Sequence, residues 1–422
     1  MPQLLVSDKK GKVFEYSGLE ATGMKAGHPF RLDPANLIKL PPGSRLFMLP
    51  HRRPVGYDPA SGSYAAPDGG MNAVAAFLAP GYTTTYSSAY RETGRPAMLP
   101  LFSYAAAAFH KGDIYVAAVQ VDKDKRHDCR FIDIEAVRKN TKIFRKAFPK
   151  NRLIPHLEKC SLEYGCANAQ NFFLHRYEGP LPTSPSCNAS CAGCISYQPS
   201  KRCPVAQPRI SFVPRPEELL EVALFHIEST KEPIVSFGQG CEGEPLLREA
   251  IIEKSIRLIR RITSKGTINI NTNGSRPDKL SALIDAGLDS CRISLNSSRK
   301  IYYERYYKPR GYSFKDVLQS VRIAKEKKVF VSVNYLTMPG FTDSADEFAA
   351  LKKLVKGYKV DMIQWRNLNY DPLRYFEELK ISVKPSEMIG IREMLSLLRE
   401  EFPRLRMGYF NPILRAAASP RR

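Results

Sequence analysis

The sequence predicts an α/β protein with a parallel sheet, preceded by a separate β-rich or α+β region, and three observations support this. The chain has 422 residues, 43% of them hydrophobic, enough for one large core or two moderate ones. Up to about residue 175, short apolar runs are broken by turn chemistry such as PDGG. After residue 180, strand-type runs alternate with segments of helical spacing, the pattern of a parallel sheet with right-handed crossovers.

The N-terminal region holds the run RLFMLP and the pair AAAAFHKGDIYVAAVQV. The two halves of that pair flank His110-Lys111-Gly112-Asp113, a connection length that suits an antiparallel hairpin. From Arg138 to Arg152 there are seven basic and no acidic residues, read either as a solvated, partly helical surface or as an anion-binding patch. Pro149 ends any helix there. A proline-, serine- and cysteine-rich loop follows Pro180. PIVSFG (233–238) is bounded by proline and glycine, as a buried parallel strand would be. Leu246 to Ile262 has helical spacing, TININ is a strand, Pro277 leads a helix to Ala286, and DSCRISLN is the next strand. Ser313 is the expected N-cap of a helix whose buried face carries Phe314, Val317, Leu318, Val321 and Ala324. VFVSVNYL, a helix near Asp346 to Val355, VDMIQW, a helix after Asp371 and LRMGYF complete the series. The expected division is residues 1–175 as the β-containing domain, 176–375 as the sheet and 376–422 as a helical extension. In parallel sheets of this kind, chemistry sits at the carboxyl ends of the strands.

Lysine and arginine number 64 against 42 aspartate and glutamate, a formal net charge of +22. Such an excess favours an anionic partner or substrate, RNA among them. The first residues carry no apolar segment of signal-peptide type, and no run reaches the roughly 18 apolar residues of a membrane span. The expectation is a soluble, cytoplasmic protein without a membrane partner. The seven histidines form no H-x3-H or H-E-x2-H pair, and there is no GxxxxGK[ST] or Rossmann glycine fingerprint. Catalytic zinc, nucleotide hydrolysis and hydride transfer therefore have no motif behind them.

Nine cysteines are too few for a disulfide scaffold in a chain this long, and six of them lie from residue 160 to residue 203. Cys187, Cys191 and Cys194 form C-x3-C-x2-C in one loop, so three thiolates can converge on one metal site. A structural zinc site closes with four ligands, and Cys203 is the available fourth. A 4Fe-4S cube on three cysteines leaves one iron open.

The loop and the segments after it resemble the radical S-adenosylmethionine (SAM) superfamily, whose cluster motif is C-x3-C-x2-C at the start of a partial TIM barrel of about six βα units. Four further motifs follow in order. VSFGQGCEGEPLL offers Gly243-Glu244-Pro245 where the family has a GGEP-like segment. Asn271-Thr272-Asn273-Gly274 and Ile293-Ser294-Leu295-Asn296 end the next two strands, and the following strand presents Asn334 before a Pro339-Gly340 turn. The resemblance spans about residues 180 to 370. It implies that Cys187, Cys191 and Cys194 hold a 4Fe-4S cluster, the metal and catalytic centre. It also implies that Gly243, Glu244, Asn273, Ser294, Asn296 and Asn334 bind SAM, with Gly243 and Glu244 at the methionyl amino group. The implied activity is reductive cleavage of SAM to a 5'-deoxyadenosyl radical that abstracts hydrogen from an unidentified substrate. An external electron donor of flavodoxin or ferredoxin type would drive it. Two positions depart from the family pattern: Gly193 replaces an aromatic residue that packs near the adenine, leaving that wall to another residue such as Tyr197, and Glu242 replaces the first glycine of GGEP.

Other residues admit two readings each. Cys160, Cys166 and Cys203 are either structural thiols or ligands of a second cluster or zinc, and Cys241 either packs in the turn or serves as a further thiol ligand. Gln364, Arg366 and Asn369 on the sixth strand face the barrel mouth, while Trp365 suits substrate or core. Tyr302, Tyr303, Tyr306 and Tyr307 among basic residues either stack bases or form an amphipathic cap. The rival to the enzyme is a zinc- or Fe-S-stabilised RNA-binding protein that does not cleave SAM.

Overall fold

The computed structural model describes residues 1–94, 96–99, 104–198 and 203–415, so the arginine-rich end assigned to the C-terminal extension lies outside the described residues. Among the described residues the N-terminal region forms a twelve-stranded antiparallel sheet with two short two-stranded ribbons. The expected hairpin is there: Ala105–His110 pairs antiparallel with Asp113–Val116. Alanine-rich strands sit at its centre, and both their faces are buried. Along Asn72–Phe77, Ala73 and Ala75 join one apolar cluster while Val74 and Ala76 join another, as the two-residue period of a strand requires.

Three helices follow, α1 (Ile134–Ala147), α2 (Leu153–Leu162) and α3 (Ala167–Phe173). Asp133 caps α1 through the amides of Glu135 and Ala136, 3.0 Å each. The helix ends before Pro149, burying Val137, Thr141 and Phe144 and leaving its basic side chains in solvent. The solvated-surface reading of that stretch therefore fits its face. Val137, Phe144, Leu157 and Phe172 share one core with the residues of the C-terminal sheet, so these helices pack with the sheet rather than with the N-terminal strands.

The C-terminal sheet is wholly parallel, in the order β1 (Glu178–Pro180), β2 (Ile234–Phe237), β3 (Thr267–Thr272), β4 (Ser290–Leu295), β5 (Phe330–Thr337), β6 (Met362–Asn367) and β7 (Arg406–Gly408). Helices α4 (Pro216–Ser229), α5 (Glu249–Ile262), α6 (Pro277–Ala286), α7 (Lys300–Tyr307), α8 (Phe314–Glu326), α9 (Ala345–Tyr358), α10 (Pro372–Leu379) and α11 (Ile391–Glu401) connect the strands. Ser313 precedes α8 as expected and exchanges a capping box with Asp316. The segment 376–422, expected to be helical, also supplies β7. The strands alternate, with Ile268, Ile270, Ile293, Val331, Val333 and Ile363 fully buried and the polar Asn269, Asn271 and Ser332 between them buried as well, so both faces of the sheet are covered.

The N-terminal sheet sits against the carboxyl ends of β5 and β6. Asn367 holds the ribbon at 82–84 by accepting from the Thr84 amide at 2.8 Å and donating to the Tyr82 carbonyl at 3.0 Å. Gly340 has φ +88° and a β-carbon there would lie 2.5 Å from the Ala26 amide nitrogen, so only glycine admits this approach. The junction centres on Asp371, fully buried, which accepts from Arg52 and from the Tyr90 hydroxyl at 3.0 Å each and caps α10 through the Leu373 amide at 3.1 Å.

Replacing Arg52 by Ala strands the Asp371 carboxylate, and we expect a loss of about 3–5 kcal/mol. Arg52→Met with Asp371→Asn should cost less than the two single changes summed, as denaturant titration would reveal. His226 on α4 is fully buried against Gly179 and points Nε2 at the Tyr177 carbonyl, 3.2 Å away. Burial pushes its pKa down to about 4 from 6.5. The ring folds neutral, so its contribution is complete above pH 6.5 and is lost as pH falls toward 4. His226→Phe should flatten the decline in denaturant midpoint over that window by about one proton's slope.

Candidate active site

The cysteine loop leaves the carboxyl end of β1 and is tied down on both flanks. Backbone amides of Ser190 and Ala192 donate to the carbonyls of Tyr307 and Tyr306, 2.9 Å each, and Arg310 donates to the Cys187 carbonyl at 2.8 Å. Across the mouth, the Gly243 and Glu244 amides donate to the carbonyls of Ser184 and Ser186, at 2.6 and 2.8 Å. A β-carbon on Gly243 would lie 1.9 Å from the Ser186 carbonyl oxygen, so the two segments meet only because this residue is glycine.

These ties bring Cys187, Cys191 and Cys194 to one wall of a cavity of about 280 Å³, with Gly243, Glu244, Asn273, Ser294 and Asn334 also on its lining. Asn296 lies off this cavity: its amide donates to the Tyr302 carbonyl at 3.2 Å and the Tyr375 hydroxyl at 3.0 Å. The cavity sits at the carboxyl ends of β1 to β5, where the strand order opens toward the loops. Burial, then the neighbouring Glu244 carboxylate, pushes the Cys187 thiol up to about 11. Burial and the two other cysteines push Cys191 well above the usual thiol range. Thiols so crowded and desolvated become thiolates when a cation compensates them.

Glu244 is buried, and burial pushes its pKa up to about 7. One oxygen accepts from the Thr272 hydroxyl and from the Leu246 amide at 3.0 Å; the other accepts from the Asn273 amide at 2.8 Å, leaving a lone pair of that oxygen for a ligand donor. Glu242 is a brace. One oxygen accepts from the amides of Thr183 and Ser184 at 2.7 and 2.8 Å and the other from the Gln239 amide at 2.7 Å. The glycine expected at 242 is thus replaced by a carboxylate that stitches the start of the cysteine loop to the turn after β2. Gly193 also has a physical reason, since a β-carbon there would fall 2.8 Å from the Tyr306 hydroxyl. Tyr306 and Tyr307 line the cavity, whereas Tyr197 is 54% exposed and stacks under Arg209.

The four-tyrosine helix α7 is not a base-stacking strip. Tyr303, Tyr306 and Tyr307 are buried, with Tyr303 and Tyr307 stacked at 4.5 Å. Trp365 is fully buried beside Tyr335, so core packing accounts for it. Gln364 is buried inside the barrel, accepting from Arg292 at 3.1 Å and donating to Asn411 at 3.0 Å. Cys203 stands apart from Cys160, its thiol donating to the Leu99 carbonyl at 3.3 Å. The residue that sequence reading missed is Arg292, which lines the cavity beside Ser294. The signal was its place two residues before Ser294, on the same strand face. Arg366, near it, lies with its guanidinium carbon 3.8 Å from the Tyr409 ring centroid.

A fit to the cluster and SAM can be tested on the cavity itself. Three thiols share one wall, a glycine turn leaves backbone room, and the Asn334 Oδ1 and Tyr307 hydroxyl are buried without a partner. Soft sulfur donors grouped beside unsatisfied polar atoms suit an iron-sulfur cluster with a polar ligand.

Residues 181–352 match the model of the radical SAM superfamily. That part of the chain is similar to this superfamily, whose members use a 4Fe-4S cluster and SAM. The chain is 27% identical to GTP 3',8-cyclase of Aquifex aeolicus (strain VF5) over 226 residues, 51% of this chain and 62% of that protein. It is 25% identical to the FeMo cofactor biosynthesis protein NifB of Klebsiella pneumoniae over 179 residues, 39% of this chain and 38% of that protein. The match therefore spans under two thirds of either relative. Among solved structures it is similar to Streptococcus suis SuiB bound to S-adenosylmethionine, with a TM-score of 0.40 and 13% identity over 64% of this chain and 63% of that one. Among the described residues, no helix is long and apolar enough to cross a membrane.

Gly243→Ala should force the cysteine loop off the turn. The expected result is loss of most of the visible absorbance after anaerobic iron–sulfide reconstitution, with far-ultraviolet circular dichroism unchanged.

Proposed function

We propose that this protein is a radical SAM enzyme acting on an anionic substrate. The observation that carries the reading is the convergence of Cys187, Cys191 and Cys194 with the Gly243-Glu244 turn on one cavity. When bound there, a 4Fe-4S cluster and SAM supply reductive cleavage of the carbon–sulfur bond, giving methionine and a 5'-deoxyadenosyl radical that takes a hydrogen atom from substrate. An external donor of flavodoxin or ferredoxin type provides the electron, in a reducing, cytoplasmic setting.

The chain's own residues bind, orient and exclude water. The three cysteine thiolates hold the cluster, and Arg209, 3.6 Å from the Cys194 sulfur, offers a compensating charge. Glu244 accepts from the methionyl ammonium with its remaining lone pair, and Gly243 leaves space for that end of SAM. Asn273 is pinned by its donation to the Asn188 side chain at 2.9 Å, which orients it on the cavity wall. Ser294 and Asn334, 3.5 Å apart, present a hydroxyl and the free Oδ1 to the ribose or carboxylate. Asn296, off the cavity, serves by fixing Tyr375 behind α7. Tyr306 and Tyr307 replace the missing aromatic at 193 and keep water from the sulfonium.

An anionic substrate fits the barrel interior. Burial and the nearby Arg366 push Arg292 down to about 9, and the Nε atoms of both arginines are buried without a partner. Two desolvated guanidiniums this close are relieved by a shared anion. The relative named GTP 3',8-cyclase is named for an anionic nucleotide. The partial-barrel reading of about six βα units belongs to the same proposal, with the N-terminal sheet walling the side at β5 and β6.

The test is anaerobic reconstitution, reduction in the presence of SAM and chromatography for 5'-deoxyadenosine. The wild type should produce it, and the Cys187→Ala/Cys191→Ala/Cys194→Ala protein should fall to the level without enzyme. A cluster-loaded wild type that makes none under several reductants, with or without anionic substrates, would defeat the proposal.

A further inference from the structure

Behind the turn after β2 lies a second group of soft donors, outside the cavity just described. Helix α2 carries His156 and Cys160 four residues apart, hence on one face. Cys241, in the turn itself, meets them from the other side. His156 Nε2 lies 3.3 Å from Cys241 Sγ and 3.6 Å from Cys160 Sγ, and the three donor atoms all fall within 4.8 Å of one another. Both thiols are buried, at 1% and 4% exposure. Cys166 packs against the same cluster, and its amide donates to the Cys160 carbonyl at 2.9 Å.

We infer that His156, Cys160 and Cys241 hold a single zinc ion. Zinc places sulfur about 2.3 Å and imidazole nitrogen about 2.0–2.1 Å from the metal, so in a tetrahedron the two donors stand roughly 3.5 Å apart. The observed separations match that edge. A 4Fe-4S cube puts each thiolate on a different iron and needs its ligands farther apart. The donor set, two thiolates with one imidazole, is one that zinc takes. Such an ion would fasten α2 to the turn that carries Glu242, Gly243 and Glu244, three residues from Cys241 at the farthest. Its work is to hold that turn against the cysteine loop. The inference does not depend on SAM cleavage, because none of its ligands lines the catalytic cavity.

The experiment measures zinc and iron by mass spectrometry on the full chain, purified anaerobically and reconstituted. Wild type should carry one zinc beside its iron. Cys187→Ala/Cys191→Ala/Cys194→Ala should lose iron and keep zinc, while Cys160→Ala/Cys241→Ala should lose zinc. Should the latter variant fail to fold, cobalt exchanged into wild type provides the second measurement. It should show a thiolate-to-cobalt charge-transfer band and tetrahedral ligand-field bands that disappear on zinc addition and that weaken in His156→Ala. Three results would overturn the inference: wild type without zinc and without the cobalt band, a Cys160–Cys241 disulfide in the anaerobic protein, or extra iron in place of zinc that leaves with Cys160 and Cys241.

Discussion

Everything at the candidate site depends on one seam, the close backbone approach between the cysteine loop and the turn after β2. Two amide-to-carbonyl bonds cross it, at Gly243 to Ser184 and Glu244 to Ser186. Glu242 crosses it again, accepting two loop amides with one oxygen while its other oxygen holds the Gln239 amide. A loop of this kind has little secondary structure of its own, so its conformation is fixed by where its backbone groups find partners. The seam fixes it from one side and the carbonyls of α7 fix it from the other. Three thiols are then held together although burial and neighbouring negative charge oppose the ionisation of Cys187 and Cys191.

The rest of the molecule supports the seam at longer range. The parallel sheet sets the positions of Asn273, Ser294 and Asn334 because consecutive strands present their carboxyl ends side by side in register. Helix α7 is apolar on the face that meets the cysteine loop, and its tyrosines fill the space that Gly193 leaves. The N-terminal region meets the far side at Asp371 and Asn367, which bond Arg52 and Tyr90 and the ribbon at 82–84 across the junction. A buried ion pair such as Arg52–Asp371 adds little net stability but penalises misdocking, because either charge alone is costly. On the inner side, the chain from Arg292 through Gln364 and Asn411 to Glu178 keeps the barrel interior polar.

Much of this was legible in the chain as written. The alternation of strand and helix after residue 180, the hairpin around Lys111-Gly112, the stop at Pro149 and the cap at Ser313 are local properties: spacing, turn residues and caps act over a few positions, and the structure repeats them. The cysteine triplet and the GEP segment were legible for the same reason, since each is compact in sequence. Less was legible where one residue type serves two ends. The tyrosines of α7 carry the same signature whether they face solvent or core, and only the packing of the cysteine loop on them decides. The helices at 134–173 follow a β-rich region in sequence yet share the core of the C-terminal sheet.

The sequence alone determined the fold class, the order of elements and the group of three thiols, because these rest on periodicity and on short motifs whose chemistry is local. Tertiary structure decided which distant residues share a surface. Arg292 becomes a cavity residue, Asn296 a support behind α7, and Cys203 a partner of the Leu99 carbonyl. Cys241 meets His156 and Cys160 across more than eighty residues of chain. No local rule encodes such meetings, because they depend on how the sheet twists, how the helices seat on it and which backbone groups remain to be satisfied once they do.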